Sequence, residues 1–295
     1  MIRQVESRTI LNRVTQPDDW FGLRYSMNIY RGCAHGCIYC DSRSECYGID
    51  DFDGSVIAKV NAPELLRRRL PSLRVKGTIG TGSMNDPYQP AEIELELIRS
   101  CLEIIAEHNY PVHIITKSHL VLRDADLLQL ISKTYCAVTF TLTTTDETLA
   151  AKLEPRAPSP AHRLKTMEEL SKMGILTGVT LMPVLPYITD KSEALEAVIK
   201  ESAAAGASYI IPGFGVTLRD RQRCHFLEKV ALHFSGLEEK YRRRYGHRYF
   251  CRSGNAQLLT SVFRRQCENL GISTSIPVYD PSDSHQQDLF EGWGS

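Results

Sequence analysis

Between about residue 25 and residue 212 the chain alternates short β-rich apolar runs with longer stretches whose apolar positions recur at helical spacing, the pattern of successive βα units. The runs predicted as strands are Met27–Tyr30, Gly77–Thr81, Val112–Thr116, Ala137–Leu142, Leu176–Met182 and Tyr209–Ile211. Ala91–Glu107, Arg123–Lys133, Ala161–Met173 and Ser192–Ala205 read as helices, with Gly174 and Gly206 placed to stop the last two. Strands separated by helices pair in parallel, so a parallel sheet is expected. The rhythm breaks near Thr217, dividing the chain into an N-terminal segment 1–24, a βα region 25–216 and an extension 217–295. Within the extension, Ile272–Tyr279 is expected to pack back on the βα region and the polar tail from Asp280 to be poorly ordered.

At 295 residues and 42% hydrophobic the chain can bury a large core, and one barrel or two smaller domains both fit. No apolar run approaches the roughly 18 residues of a membrane span, so a cytoplasmic protein without a membrane partner is expected. Nine cysteines form an odd set without the short framework of a disulfide-rich secreted domain, which agrees with a reducing compartment. The formal net charge of +0 gives no global pull toward nucleic acid, so any such partner must meet a local patch. Two patches qualify: Lys240-Tyr-Arg-Arg-Arg244-Tyr-Gly-His-Arg-Tyr249, and Arg67-Arg-Arg69 with Arg74 and Lys76. Each reads either as a phosphate and base contact or as a solvated helix face, with Glu238 and Glu239 available to pair the first.

The sharpest chemistry lies in Cys33-Ala-His-Gly-Cys37-Ile-Tyr-Cys40. Three cysteines at C-x3-C-x2-C can bind three irons of a [4Fe–4S] cluster and leave the fourth iron open to a ligand. Two other readings compete: a Cys3His zinc site that recruits His35, and a four-cysteine electron-transfer cluster completed by Cys46. The ferredoxin run is more closely spaced and carries proline after its last cysteine, whereas Tyr47 follows here. Cys101, Cys136, Cys224 and Cys267 sit in apolar or helical patterns and read as buried, inert thiols.

The triplet resembles the signature of radical S-adenosylmethionine (SAM) enzymes, and other segments narrow the likeness. Gly80-Thr-Gly-Ser-Met-Asn-Asp86-Pro-Tyr-Gln-Pro90-Ala-Glu92, Thr116-Lys117-Ser118, Glu154-Pro-Arg156-Ala-Pro-Ser-Pro160 and Met182-Pro-Val-Leu-Pro186 each follow a predicted strand. Together with the cysteines they are similar to the spore photoproduct lyase-like branch of that superfamily, over approximately Tyr25 to Pro212. The resemblance implies an α/β fold, a partial (β/α)6 TIM-type barrel with a C-terminal α/β extension, whose strand ends bring these loops to one mouth. It implies a [4Fe–4S] cluster and SAM as cofactors, reductive cleavage of SAM to a 5′-deoxyadenosyl radical, an electron donor such as flavodoxin or ferredoxin, and a substrate that is either a nucleic acid base or a peptide, protein or small metabolite. A binding protein without catalysis is the alternative from another class.

Carried over position by position, the resemblance makes Cys33, Cys37 and Cys40 the cluster ligands and sets Tyr39 beside the adenine of SAM. It sets Gly82, Ser83 and Asn85 near the methionine amine and Lys117 on the methionine carboxylate. Thr139 or Thr141 would meet the ribose, although alternating threonines also suit any strand. Arg163, with Glu154 and Arg156, would either bind a ligand carboxylate or form an internal ion-pair network. Asp86 and Glu92 would cap the helix starting near Ala91. True spore photoproduct lyases return hydrogen from a cysteine in the loop after the second strand and relay the radical through tyrosines. Here that loop reads Thr81-Gly82-Ser83-Met84 without a thiol, and Tyr39 stands alone before Asp41. Tyr39, and Cys251 from the extension, are the remaining candidates for catalytic hydrogen transfer.

Overall fold

The computed structural model describes residues 1–15, 20–49, 51–52 and 54–282, so the tail beyond 282 lies outside the described residues. Its centre is a seven-stranded sheet. Six strands run parallel in sequence order: β1 (Tyr25–Met27), β2 (Ile79–Thr81), β3 (Val112–Thr116), β4 (Cys136–Thr141), β5 (Leu176–Leu181) and β6 (Tyr209–Pro212). Leu11–Arg13 adds an antiparallel edge to β1. This is the parallel sheet the βα rhythm predicts, in the partial-barrel order the resemblance implies.

The first predicted strand, Met27–Tyr30, is corrected. Tyr25–Met27 joins the barrel, while Tyr30–Arg31 turns away to pair with Val56–Lys59, which also pairs with Ile2–Val5 in a separate three-stranded sheet. The predicted helix Ala91–Glu107 breaks at Glu96, whose φ of 47° is left-handed. Glu92 explains why the break holds. Its carboxylate accepts from Ile98 N (3.0 Å) and Arg99 N (3.4 Å), so it caps the helix Leu97–Glu107 rather than the one at Ala91, and Arg123 pairs with it at 2.8 Å. Gly174 and Gly206, at φ 79° and 83°, end the helices Pro160–Lys172 and Ser192–Ala204 as expected.

Strand periodicity sorts the two faces of the barrel. Val112, Ile114, Val138, Phe140, Val179, Leu181 and Ile210 join the large apolar core. The alternate residues point inward and are more polar. In one inner layer Thr139 hydrogen-bonds His113 Nε2 (2.6 Å) and Tyr209 Oη (2.5 Å). Tyr209 reaches Thr139 across β5 because residue 178 is glycine; a Cβ there would lie 2.4 Å from the Tyr209 ring.

After β6, Gly215–Thr217 pairs antiparallel with Phe250–Arg252, and helices Asp220–His233, Leu237–Tyr245 and Ala256–Asn269 complete the extension. Ser273 then bridges to Tyr209, and Ile276 packs with Tyr209, Ile211 and Ala137. Cys101, Cys136 and Cys267 are buried as expected, but Cys224 is exposed on its helix.

Candidate active site

The loop Cys33–Cys40 follows β1 and is held through its backbone from three directions. From the segment after β4, Leu153 O accepts from Ile38 N (2.9 Å) and Arg156 N donates to His35 O (3.1 Å). From the loop after β2, the buried Gln89 accepts from Ala34 N (3.0 Å) and donates to Gly32 O (3.2 Å). From the C-terminal extension, Gln222 donates to Tyr39 O (3.2 Å) and Thr217 O (3.0 Å). A loop so tied presents its thiols in a fixed arrangement.

Cys33, Cys37 and Cys40 open into one pocket of about 100 Å³, shared with Tyr39, the Gly82–Asp86 turn, Lys117 and Thr141. Gly82 is required there: its φ is +97°, and a Cβ would lie 1.9 Å from Ile115 O on β3. Asp86 fastens this turn to the end of β3, accepting from Thr116 Oγ1 (2.7 Å), Lys117 N (2.7 Å) and Tyr88 N (2.9 Å). It therefore positions the pocket instead of capping a helix. Asn85 Nδ2 donates to Tyr30 O (2.7 Å), and His35 Nδ1 lies 3.5 Å from Asp86 Oδ2.

Behind the pocket is a charge network. Glu154 accepts a short hydrogen bond from Tyr39 Oη, pairs with Arg163 Nη2 at 2.5 Å and lies 4.0 Å from Lys117 Nζ. Arg163 is 1% exposed and spends its remaining donors on Pro158 O (2.8 Å) and Thr141 O (3.0 Å). Burial alone would push the Glu154 carboxyl up, but Arg163 and Lys117 outweigh it and hold the group below its ordinary range. Burial works against the charge of Lys117, and electrostatic attraction to neighbouring Cys37 and Glu154 outweighs it and holds its pKa above the ordinary value. Burial pushes the Cys33 thiol up to about 12 and raises Cys37 and Cys40 as well. Metal bound here must displace protons from all three.

The structure thus brings together Cys33, Cys37, Cys40, Tyr39, Gly82, Ser83, Asn85, Lys117 and Thr141. Thr139 and Arg163, expected near a ligand, and Cys251, expected as a hydrogen-transfer candidate, do not line this pocket. Thr139 is one layer deeper, its hydroxyl committed to His113 and Tyr209. Arg163 meets Glu154 and backbone carbonyls, so the internal-network reading describes it. Cys251 is fully buried on the extension, its Sγ 3.8 Å from Arg248 O. Sequence reasoning missed Gln89 and Gln222; the first sits inside the quoted motif, whereas nothing local marks the second.

Three thiols facing one pocket are the donor type an iron–sulfur cube takes. Among the described residues no three donors are grouped closely enough to hold one metal ion, which a Cys3His zinc site requires. A cube takes each thiol on a different iron and needs them further apart. Cys46 is exposed and does not line the pocket, so three thiols face it.

Fold and site define a parallel βα partial barrel with a three-thiol pocket at the carboxyl ends of its strands. The model of the radical SAM superfamily matches residues 27–199, and the chain belongs to that superfamily. An uncharacterized protein of Mycobacterium tuberculosis is 34% identical over 230 residues, covering 75% of this chain and 67% of its own. A radical SAM Nα-GlyT isomerase of Pseudomonas phage M6 is 25% identical over 182 residues, 62% of this chain and 37% of that one. Among solved structures, a spore photoproduct lyase variant with bound AdoMet and dinucleoside spore photoproduct superposes with TM-score 0.70 at 14% identity, over 92% of this chain and 81% of that one. The fold is therefore that of spore photoproduct lyase. Among the described residues no helix is long and apolar enough to cross a membrane.

Proposed function

We propose that this protein is a radical SAM enzyme that abstracts hydrogen from a nucleic acid base. The observation that carries the reading is the convergence of Cys33, Cys37 and Cys40 with the Gly82–Asn85 turn and Lys117 in one pocket. When bound, a [4Fe–4S] cluster reduced by a donor such as flavodoxin or ferredoxin, together with SAM, supplies a 5′-deoxyadenosyl radical. The chain's own residues do the rest. The three thiols hold iron, Lys117 offers the cation a carboxylate needs, and the Gly82 turn gives backbone a close approach to a ligand amine. Tyr39 lines the pocket with its hydroxyl tied to Glu154, so its ring is fixed in place.

The base as substrate is supported by the lyase fold, which in its solved form holds a dinucleoside. Repair of the spore photoproduct itself does not fit, because the Thr81–Asp86 segment carries no thiol and the buried Cys251 does not line the pocket. The decisive experiment is anaerobic reconstitution with iron and sulfide, reduction with dithionite, addition of SAM and detection of 5′-deoxyadenosine by mass spectrometry. The wild type should form it and Cys37→Ala should not. A fully loaded wild-type cluster that forms none, and whose EPR signal ignores SAM, would sink the proposal.

A further inference from the structure

The basic run Lys240–Tyr249 is divided by the fold. Arg242 pairs with Glu238 at 2.6 Å, the i,i+4 contact of a solvated helix face. Arg244 is placed otherwise. Its guanidinium lies over the rings of Tyr187 (5.8 Å) and Tyr245 (5.7 Å), and its Nη1 donates to Tyr187 Oη at 3.3 Å. The Arg244 guanidinium also packs close to Gly254, where a Cβ would lie 2.7 Å from its Nη2. A guanidinium held this way is ordered before any ligand arrives.

With Arg248 and Arg252, Arg244 lines a surface pocket of about 310 Å³ that no carboxylate lines. Among the described residues none of these three arginines is in an ion pair. Exposed rings stand beside them: Tyr249 at 52%, Phe250 at 48% and Tyr187 at 36%. On the strand Phe250–Arg252 the ring and the guanidinium alternate with the buried Cys251, so they share the outer face. Arg219 carries the pattern toward the cysteine loop. It lies over both Tyr249 (5.4 Å) and Tyr47 (5.3 Å) and pairs with Asp41, the residue after Cys40.

The three arginines of the pocket, outside any ion pair and set beside exposed rings, complement a chain that alternates anions with flat apolar faces, which is single-stranded nucleic acid. An acidic protein surface would satisfy the guanidinium groups and leave the rings facing carboxylates. We propose that the Arg244–Arg248–Arg252 pocket and the strip through Phe250, Tyr249 and Arg219 bind an unpaired nucleic acid strand, phosphates on arginine and bases on the rings, and lead it to the cysteine site. This rests on the nucleic acid reading above and gives it a strand-binding surface.

The test is fluorescence anisotropy of the full chain with a labelled single-stranded oligonucleotide of about 20 nucleotides, titrated at several salt concentrations. Affinity should fall linearly in log K against log salt. Arg248→Glu with Arg252→Glu should weaken binding about tenfold or more and make the slope shallower by about 1.4, two contacts at about 0.7 each. Phe250→Ala should weaken it about fivefold or more at an unchanged slope. All substituted side chains are exposed, so thermal midpoints should match the wild type. Unchanged affinity in the double variant overturns the proposal, as does a duplex of the same sequence binding as tightly as the single strand. Slower cluster reduction by flavodoxin or ferredoxin with oligonucleotide binding intact would assign the surface to an acidic protein instead. Wild-type 5′-deoxyadenosine formation without nucleic acid reports separately on the radical chemistry, so product without oligonucleotide binding overturns this surface alone.

Discussion

The cysteine loop is supported on one side by neutral amides and on another by buried charge, and the two supports behave differently. Gln89 and Gln222 hold the backbone at Gly32, Ala34 and Tyr39 with groups that keep the same charge at every accessible pH. Glu154 holds the side chain of Tyr39 while facing Arg163 and Lys117, so its support depends on three charges that are costly to bury singly. The amides fix where the thiols are. The ionic network additionally sets the charge around the pocket, and removing one member leaves the others uncompensated.

The largest effect should come from Glu154→Gln, which keeps the shape and removes the only negative member of that trio. Stranding Arg163 and Lys117 should cost about 3–5 kcal/mol in urea unfolding of the metal-free protein. A cost no greater than that of an amide truncation would collapse the distinction between the two supports. The pH dependence sharpens it. Because Arg163 and Lys117 hold Glu154 below its ordinary 4.5 in the fold, its stabilisation is complete above that value and is lost as pH falls through the folded value. The gap between wild type and Glu154→Gln should therefore be widest near pH 7 and narrow below pH 4.5. A gap that stays constant down to about pH 3.5 would contradict the ionic account.

The neutral side predicts a smaller and pH-independent loss. Gln89→Ala removes the acceptor of the part-buried Ala34 N–H and the donor to Gly32 O, which should cost about 1–3 kcal/mol. Measured across the same pH range, that cost should not vary. If it grew or shrank with pH by as much as the Glu154 variant's, Gln89 would have to be coupled to the charge network.

Much of this arrangement was legible in the chain, and the limit is physical. The rhythm of short β-rich runs between helical stretches located the five barrel strands after the first to within about two residues, and the spacing of Cys33, Cys37 and Cys40 marked the pocket. Short apolar runs do not state which sheet they join, so Met27–Tyr30 read as one strand although Tyr30 pairs with Val56–Lys59. Alternation placed Thr139 and Thr141 on one face but not at one depth. Depth came from Gly178, which lets Tyr209 occupy Thr139 and leaves Thr141 at the mouth. Arg163 could be read as ligand or scaffold because its partner Glu154 is fixed only by folding, and Cys251 could be read as a donor thiol because burial is not a local property. Gln222 is separated from Tyr39 by 183 positions, and no local pattern connects them.

Gln222 also gives the smallest and most discriminating test of whether the loop is one rigid body. Truncation to alanine leaves the carbonyls of Tyr39 and Thr217 without that donor and the part-buried Arg219 N–H without its 2.9 Å acceptor. The expected cost is about 1 kcal/mol. Gln89 and Gln222 grip opposite ends of the loop, at Gly32 and Ala34 and at Tyr39, and share no partner. Independent contacts this far apart in the chain should add within about 0.5 kcal/mol, whereas two clamps on one stiff segment should show a larger interaction term. The backbone bonds from Leu153 and Arg156 to the middle of the loop favour stiffness. A double-mutant cycle on Gln89→Ala and Gln222→Ala, read by urea unfolding, should therefore depart from additivity by more than about 0.5 kcal/mol; strict additivity would show that each clamp holds only its own end.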